Sequence, residues 1–487
     1  MFSIQSAKYR KTLLSLAVSG ALITLASCGG TDSDSTAGGG GGSGGSVDTS
    51  SLTTENLRSG LTKGLTQGVT ANTSAFSTVL TNSKALNEVT GKASSLQSKS
   101  TISTKAAGSG SGSSGLNFDD TMTDSLESLN EMIEMSSVSN SGNVYTFDPD
   151  ENRICTSDTE STPDEITDCK EVLSHITFVV TVNSVVNDEV TAATTEFKYD
   201  AATFAITDFT ANSGYYQIEL AGSKALLTKL NELADDEDKF DVPATMEGSV
   251  RIGFTAESEN SGSVTLSIPN AIRLVNTTSG DEIDLTMATT TELLSMSANA
   301  ATNEMNLKVS LGAFNLLAND EDDSGNPFPV SLALSALTGE MSVGTNGDVL
   351  TLSGLSANGV NFKVNGQSAL TLGLSSLDAI LDASGTAAVA TLSEPLNFSM
   401  MVKNINAYFA DELESTNPAY TIEASATAPA GTTFTEMTDD LTKVTGGPLV
   451  ININETGKAA VSVSVPTGSC LNTAGDTLAV APCPAGS

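Results

Sequence analysis

Met341-Ser342-Val343-Gly344-Thr345-Asn346-Gly347-Asp348-Val349-Leu350-Thr351-Leu352 alternates apolar and polar residues on either side of an Asn-Gly pair. Successive side chains of a strand point to opposite faces, so a hairpin is legible where both arms put their apolar residues on one side. Asn and Gly tolerate the positive φ of a type I′ turn, which makes Asn346-Gly347 a two-residue loop. Val343 then faces Leu350, Met341 faces Leu352, and all four share a face. The stretch predicts an antiparallel hairpin with one buried side.

The same test extends outward. Near the C-terminus a three-residue loop, Glu455-Thr456-Gly457, predicts Ile453 opposite Ala459, Ile451 opposite Val461 and Leu449 opposite Val463, again with one apolar face. At Asn365-Gly366 a two-residue loop pairs Phe362 with Ala369 and strands Leu370 and Leu372 on the wrong face, so either a bulge shifts the register or both faces are covered. Val250, Ile252 and Phe254 alternate with polar or small residues, and Val264, Leu266 and Ile268 repeat the pattern after Glu259-Asn260-Ser261-Gly262. Ile176-Thr177-Phe178 leading into Val180-Thr181-Val182 reads as another strand. One helix interrupts, Lys224 to Asp235, with Leu226, Leu230 and Leu233 on one side. The motif Ser-Ala-Asn followed by Asn-apolar-Lys-Val recurs at Ser297/Asn306 and Ser356/Asn361 with unequal spacing, a faint repeat. The fold class is mainly β: antiparallel sheets and hairpins, sandwich-like or an elongated curved sheet, with a few helices after a helical N-terminal stalk.

That stalk is placed at residues 51–93. Leu57, Leu61, Leu65 and Val69 recur every four residues, and Phe76, Val79, Leu80 and Leu86 continue an apolar face. Gly60, Gly64 and Gly68 lie beside it; they weaken a lone helix and suit either close packing on another helix or a partly ordered stalk. Residues 94–115 form a Gly/Ser linker, after which Met122, Leu126, Leu129 and Ile133 mark a short helix. The division is then an α+β region over 116–248 and an antiparallel β region over 249–487.

The first 28 residues carry a resemblance. Lys8, Arg10 and Lys11 precede an apolar run from Leu13 to Ala26, too short to span a bilayer comfortably. It ends at Leu25-Ala26-Ser27-Cys28, which resembles the lipobox of bacterial lipoproteins: a branched residue, two small ones, then Cys. The resemblance implies that residues 1–27 are a signal peptide, that Cys28 becomes the acylated first residue, and that the partner is a membrane, held through lipid on Cys28. Gly29 in place of an Asp implies delivery to the outer membrane of the cell envelope. Residues 28–50, rich in Gly, Ser, Thr and Asp, then read as a tether with a root-mean-square reach of about 25 Å.

Composition limits partners. Lys and Arg number 22 against 58 Asp and Glu, a net charge of −36; losing residues 1–27 removes three basic residues and leaves −39. Nucleic acid is excluded as a partner by its own charge, and anionic headgroups and polyanionic sugars are repelled. Cations, neutral ligands and basic protein surfaces remain, so the partner is a protein or an apolar ligand. Trp is absent, which counts against a sugar-stacking groove. Apart from Cys28 there are four cysteines, an even number suited to an oxidising compartment. The local pairs Cys155–Cys169 and Cys470–Cys483 are the favoured connectivity, each stabilising the fold by about 3 kcal/mol.

Sites for chemistry are few. His175 is the sole histidine, beside a strand, and reads as a core or sheet-edge residue; one histidine excludes H-E-x-x-H zinc sites. G-x-S-x-G occurs only as Gly41-Gly42-Ser43-Gly44-Gly45 inside the Gly/Ser tether, not at a strand-to-helix turn that would present the serine, and there is no phosphate-binding loop. The leading site expectation is calcium at Asp320, Asp322 and Ser324, with Gly325 at loop position six but Ser331 where an EF-hand has Glu. Asp148-Pro149-Asp150-Glu151-Asn152 and Asp235-Asp236-Glu237-Asp238 are further acidic clusters. Beyond possible calcium no cofactor is implied. The expected function is a non-enzymatic binding or structural module of the envelope, without catalytic residues. Two other classes stay open: a carrier of a lipid or other apolar ligand, hinted at by apolar residues around Leu370 to Leu374, and a carboxylate-dependent hydrolase.

Overall fold

The computed structural model describes residues 47–70, 132–156, 162–234, 242–258, 261–276, 283–299, 301–302, 304–321, 327–343, 349–382, 389–411, 413–438, 440–473 and 478–484. Residues 1–46, which hold the expected signal peptide, Cys28 and most of the expected tether, and residues 94–115 of the expected linker lie outside them. The described chain is mainly β and forms two compact units, divided after Thr278. The sequence places a regional boundary at 248/249. The structure keeps the next two strands in the first unit, because strand β7 (Thr245–Ser258) is hydrogen-bonded to β6 (Ser213–Glu219).

The first unit is an antiparallel meander in which each strand pairs with the next: β1 (Ser136–Ser141), β2 (Val144–Pro149), β3 (Ile176–Val186), β4 (Glu189–Tyr199), β5 (Ala202–Phe209), β6, β7 and β8 (Ser261–Asn276). Alternation decides which face closes. Ile176, Phe178, Val180 and Val182 of β3 are buried while the intervening residues are half-buried. Ile252 faces Leu266 and Phe254 faces Val264, the hairpin the sequence predicts.

Helices cover the buried face. Helix α1 (Thr54–Thr70) inserts Leu57 and Leu61, both at most 1% exposed, into the core. Gly60 and Gly64 meet strands, not a second helix. A Cβ on Gly60 would lie 2.8 Å from Val190 Cβ, and one on Gly64 2.2 Å from the Phe209 ring. Residues 71–93 of the expected helical segment lie outside the described residues. Helix α2 (Glu151–Cys155) is capped by Asp150, whose carboxylate accepts from the Arg153 N–H at 3.1 Å. Helix α3 (Pro163–Leu173) starts on a capping box, with Thr162 and Glu165 satisfying each other's backbone N–H and Pro163 at the first turn. Disulfide Cys155–Cys169 joins these two helices. Helix α4 (Leu220–Leu233) places Leu226 in the core with Leu230 and Leu233 packed beside it.

The second unit is built around two long strands, β15 (Val349–Val364) and β16 (Gln367–Asp382), paired with each other. Each serves two branches. One branch runs β9 (Ile283–Met287), β12 (Phe314–Glu321), β13 (Pro327–Leu334), the C-terminal part of β15, the N-terminal part of β16, β18 (Leu396–Lys403), β19 (Thr421–Ala428), β22 (Leu449–Glu455) and β23 (Val461–Val465). The other runs β10 (Thr290–Asn299), β11 (Glu304–Leu311), β14 (Ala336–Val343), the opposite parts of β15 and β16, β17 (Val389–Leu392), β20 (Thr433–Thr438), β21 (Leu441–Thr445), β24 (Ser469–Asn472) and β25 (Ala479–Ala481). Register shifts between Leu352 and Val360 mark where β15 passes from one branch to the other, the use to which bulges are put in bent strands. The branches pack together around Leu392, Val444, Leu449 and Val465, a sandwich-like end.

Register checks the hairpins residue by residue. Met341 faces Leu352 and Val343 faces Leu350, as the sequence predicts. At Asn365-Gly366 both turn residues have positive φ, 50° and 74°. A bulge between Phe362 and Lys363 then moves Phe362 opposite Leu370, so Leu370, Leu372 and Leu374 share the apolar face and the doubly covered alternative falls away. At the C-terminal hairpin Ile453 faces Val461, Ile451 faces Val463 and Leu449 faces Val465. This corrects the expected pairing by two residues: the strands stop before a longer connection, and a two-residue slip keeps the same face inward. The two Ser-Ala-Asn motifs are not equivalent. Ser297 and Asn306 face each other on β10 and β11, whereas Ser356 and Asn361 lie on β15 alone.

Disulfide Cys470–Cys483 forms in this unit, so both expected pairs are present.

Candidate functional site

The first branch of the second unit carries a ladder of apolar side chains. Leu285, Leu316, Leu332, Phe362, Leu370, Val402 and Ile422 are successive cross-strand partners over seven strands. A second rung set runs Val360, Leu372, Met400, Ala424, Ile453 and Val461. At ~4.8 Å per strand the seven-strand row spans about 29 Å. That is roughly the thickness of a bilayer's hydrocarbon core. None of these seven side chains is fully buried; all are intermediate in exposure.

The middle of the ladder, at Phe362, is covered by aromatic residues. After β18, Asn404 is fully buried and its amide donates to the carbonyls of Ser415 at 2.5 Å and Asn417 at 3.2 Å, while its oxygen accepts from the Phe409 N–H at 2.9 Å. Asn404 thereby holds a short 3₁₀ turn, Ile405–Ala407, in which Asn406 and Ala407 both have positive φ, 54° and 57°. For Ala this is a costly conformation, and side-chain bonds from a buried amide are the kind of constraint that maintains one. The result places Tyr408 and Phe409 over Phe362, with ring centroids 5.5 Å and 6.0 Å away, and Tyr408 edge-on to Phe328 at 5.9 Å. Ile405, Val364 and Ala369 form the buried base beneath.

The second branch presents a contrasting row. Ser297, Asn306, Ser342, Thr351, Ile380, Thr391, Thr433 and Thr445 are partners across eight strands on its polar face. Thr391 and Thr433 share a hydrogen bond of 3.2 Å, and Ile380 is 42% exposed in the middle of the row. The surface offers hydroxyls and amides over a wide, backbone-fixed array.

In the first unit a polar track crosses the sheet face opposite the helices. Asn183 donates to Thr194 at 3.0 Å, and Thr194 donates to Asp208 at 3.3 Å. Tyr215 faces Asp208 across the strands, and the Arg251 guanidinium lies 4.0 Å over the Tyr215 ring. Arg251 Nε donates to Gln217 at 2.7 Å, and Gln217 in turn donates to Glu219. Burial pushes the Asp208 carboxyl above its ordinary value, with the Thr194 hydrogen bond and Arg251 opposing the shift. Asp208 is the best foothold for carboxylate chemistry, yet its nearest charged neighbour is a guanidinium, which suits recognition of a polar group more than the paired acids of glycoside hydrolysis. A small dimple, with room for little more than a water molecule, lies beside it, lined by Gly64, Thr207, Phe209, Tyr216 and Phe254.

His175 lies in the turn between α3 and β3, at the end of an interior strand and not at a sheet edge. Its Nδ1 bonds Asp200 Oδ1 at 2.6 Å, with the histidine side chain 39% exposed and the aspartate 63%. Beside it, the Lys229 ammonium 3.0 Å from Glu171 lowers that carboxyl's pKa and ties α4 to α3.

The acidic clusters fare differently. Asp320 lies on β12 opposite Phe328, so strands flank the loop where an EF-hand has helices; Asp322 and Ser324 lie outside the described residues. Among the described residues no three His, Cys, Asp or Glu side chains are gathered as a metal site. In the cluster at Asp148 to Asn152, Asp150 is a helix cap and Asn152 accepts from Lys170 at 2.8 Å. Asp235 to Asp238 lie outside the described residues. The aromatic cap and the Arg251–Tyr215 contact escape sequence reading; Tyr408-Phe409, adjacent aromatics in a chain that is 5% aromatic, is the available signal for the first.

Among the described residues no helix is long and apolar enough to cross a membrane. Compared with family models, curated proteins and solved structures, the chain matches none of them.

Proposed function

We propose that the chain is an exported lipoprotein of the cell envelope, anchored through acylated Cys28 in the outer membrane, whose two β units act as a non-enzymatic binding or structural module. The anchor rests on the Leu25-Ala26-Ser27-Cys28 signature and the Gly/Ser tether behind it. The module reading is carried by one observation: the eight-strand polar row from Ser297 to Thr445, a broad rigid surface of hydroxyls and amides. Such an array binds by area and complementarity, and it needs no convergent acid and base.

A second reading is favoured by the apolar ladder from Leu285 to Ile422: the module carries an apolar ligand. Its occupant is the acyl part of a membrane lipid. A tether with a root-mean-square reach of about 25 Å keeps the module near the membrane, so lipid is the apolar molecule at hand. Half-exposed apolar surface is also stabilised by any molecule that removes it from water, at roughly 25 cal/mol per Å².

Native mass spectrometry of the full chain, extracted from a bacterial membrane in mild detergent, tests both. A diacylglyceryl mass on Cys28 supports the anchor; an unmodified Cys28 defeats it. A further lipid-sized adduct supports the carrier; a bare acylated mass leaves the binding module and directs the search to protein partners. Repeating the measurement with a calcium chelator examines Asp320, Asp322 and Ser324.

A further inference from the structure

Strand β23 is an edge. Among the described residues its ladder is with β22 alone, through Leu449–Val465, Ile451–Val463 and Ile453–Val461, while β25 lies close to it without pairing. An edge exposes a row of backbone donors and acceptors, and proteins usually blunt it with charge, proline or a covering segment. Here the sequence from Ala459 to Val465 carries no charge and no proline, in a chain with 58 acidic residues. Val461 is 45% exposed at the end of the apolar rung set, and Val463 is half-buried beside it.

The strand reads the same in both directions: Val461-Ser462-Val463-Ser464-Val465. An isologous interface needs a patch complementary to itself under a two-fold rotation. An antiparallel palindromic strand meets that condition, with the axis through Val463. Val463 then faces its own copy, Val461 faces Val465 of the other molecule, and Ser462 faces Ser464. Every valine stays on the apolar face and every serine on the polar one. The rung Ile451–Val463 continues across the axis into Val463 and Ile451 of the second copy, doubling the apolar row. Pro466, without an N–H, stops the pairing after five residues.

We propose that β23 is a self-complementary edge through which two copies of this chain join their second units into one continuous antiparallel sheet. Five residue pairs make a small interface. Confinement of both copies to one membrane raises their effective concentration, so the pairing would be strongest on the membrane.

Cysteine cross-linking in the full chain, solubilised in mild detergent, reads the register directly. Facing Cβ atoms in an antiparallel pair lie ~4.5–5.5 Å apart, within reach of a short thiol-reactive bridge. Val463→Cys should give a covalent dimer at least tenfold above the wild type, which controls for Cys28, and above Val186→Cys, an exposed position on β3. Ser462→Cys alone should give none above that background, while a mixture of Ser462→Cys and Ser464→Cys chains should cross-link. No gain with Val463→Cys, or equal cross-linking by Ser462→Cys alone, overturns the proposal. Sedimentation of the wild type keeps the test independent of the variants. A concentration-dependent dimer abolished by Val463→Lys supports it. A monomer at all concentrations overturns it, and if its β23 amides are protected from hydrogen exchange the edge belongs to another segment of the same chain.

Discussion

The two units spend their apolar residues differently. The largest side chains under 2% exposed, among them Phe147, Phe178, Phe204, Leu57, Leu61 and Leu226, all belong to the first unit. Among the described residues of the second unit, the 0%-exposed side chains are smaller ones such as Val364, Ala369, Val444 and Val465; Met305, Leu350, Leu392 and Leu449 are buried in separate small clusters, and the leucines and the phenylalanine of the ladder stay half-buried. Both units are antiparallel sheets with one apolar face. The first lays helices over that face; the described part of the second has only one 3₁₀ turn and the facing branch at one end. Sheet geometry sets where apolar side chains point, and the presence of a cover decides whether they become core or surface.

The sharpest way to break this contrast is to delete one phenyl ring from each unit. Phe178→Ala should cost about 3–5 kcal/mol in urea denaturation, because a fully enclosed cavity is left behind. Phe362→Ala should cost about 1–2 kcal/mol, since its ring already faces partial solvent. Equal costs would mean the second unit is as closed as the first. Next come the disulfides. Loops of similar length, with separations of 14 and 13 residues, should each contribute about 3 kcal/mol by chain entropy. The Cys155→Ser/Cys169→Ser variant should lose more than Cys470→Ser/Cys483→Ser, because Cys155 and Cys169 are both buried whereas Cys483 is not; thermal unfolding with each pair removed ranks them.

Glycines sharpen the comparison at smaller scale. Gly64→Ala would drive a methyl into the Phe209 ring and should destabilise by about 1–3 kcal/mol. Gly366→Ala meets open space but sits at a φ of 74°, so only the conformational cost of about 1–2 kcal/mol applies. The first loss should be rescued by Phe209→Leu and the second should not respond to any neighbour. The smallest effect concerns pH. Burial raises the folded-state pKa of Asp208, so folding favours its protonated form. Its favourable contribution is present below the unfolded pKa and is lost as pH rises through the folded one. Asp208→Asn should therefore remove that decline and unfold at a slightly higher temperature than the wild type at neutral pH, with the difference vanishing in acid.

Much of this contrast can be traced to residues, and part of it cannot. The Met341–Leu352 hairpin was legible because its loop length and its apolar pattern agree, and the Leu370 register because their disagreement called for a bulge that the structure contains. The cysteine pairs follow from proximity in sequence. Helix α3 carries its signal in the capping box Thr162-Pro163-Asp164-Glu165, not in an apolar period. What local pattern does not encode is which strands share β15 and β16, since those pairings join residues far apart in the chain. For the same reason the aromatic cap was out of reach: Phe328, Phe362 and Tyr408 meet only once the branch is assembled. The palindrome of β23 is visible in the sequence, but its being an edge is not.

The contrast between the units turns on whether the half-buried ladder of the second unit, the surface behind the carrier reading, takes an apolar ligand. A titration of the full chain with a lipid-like fluorophore such as bis-ANS, beside the Leu332→Gln/Leu370→Gln variant, tests it most directly. The account predicts saturable binding by the wild type and at least a tenfold loss in the variant, with unchanged unfolding of the first unit. No binding by the wild type, or undiminished binding by the variant, would contradict it.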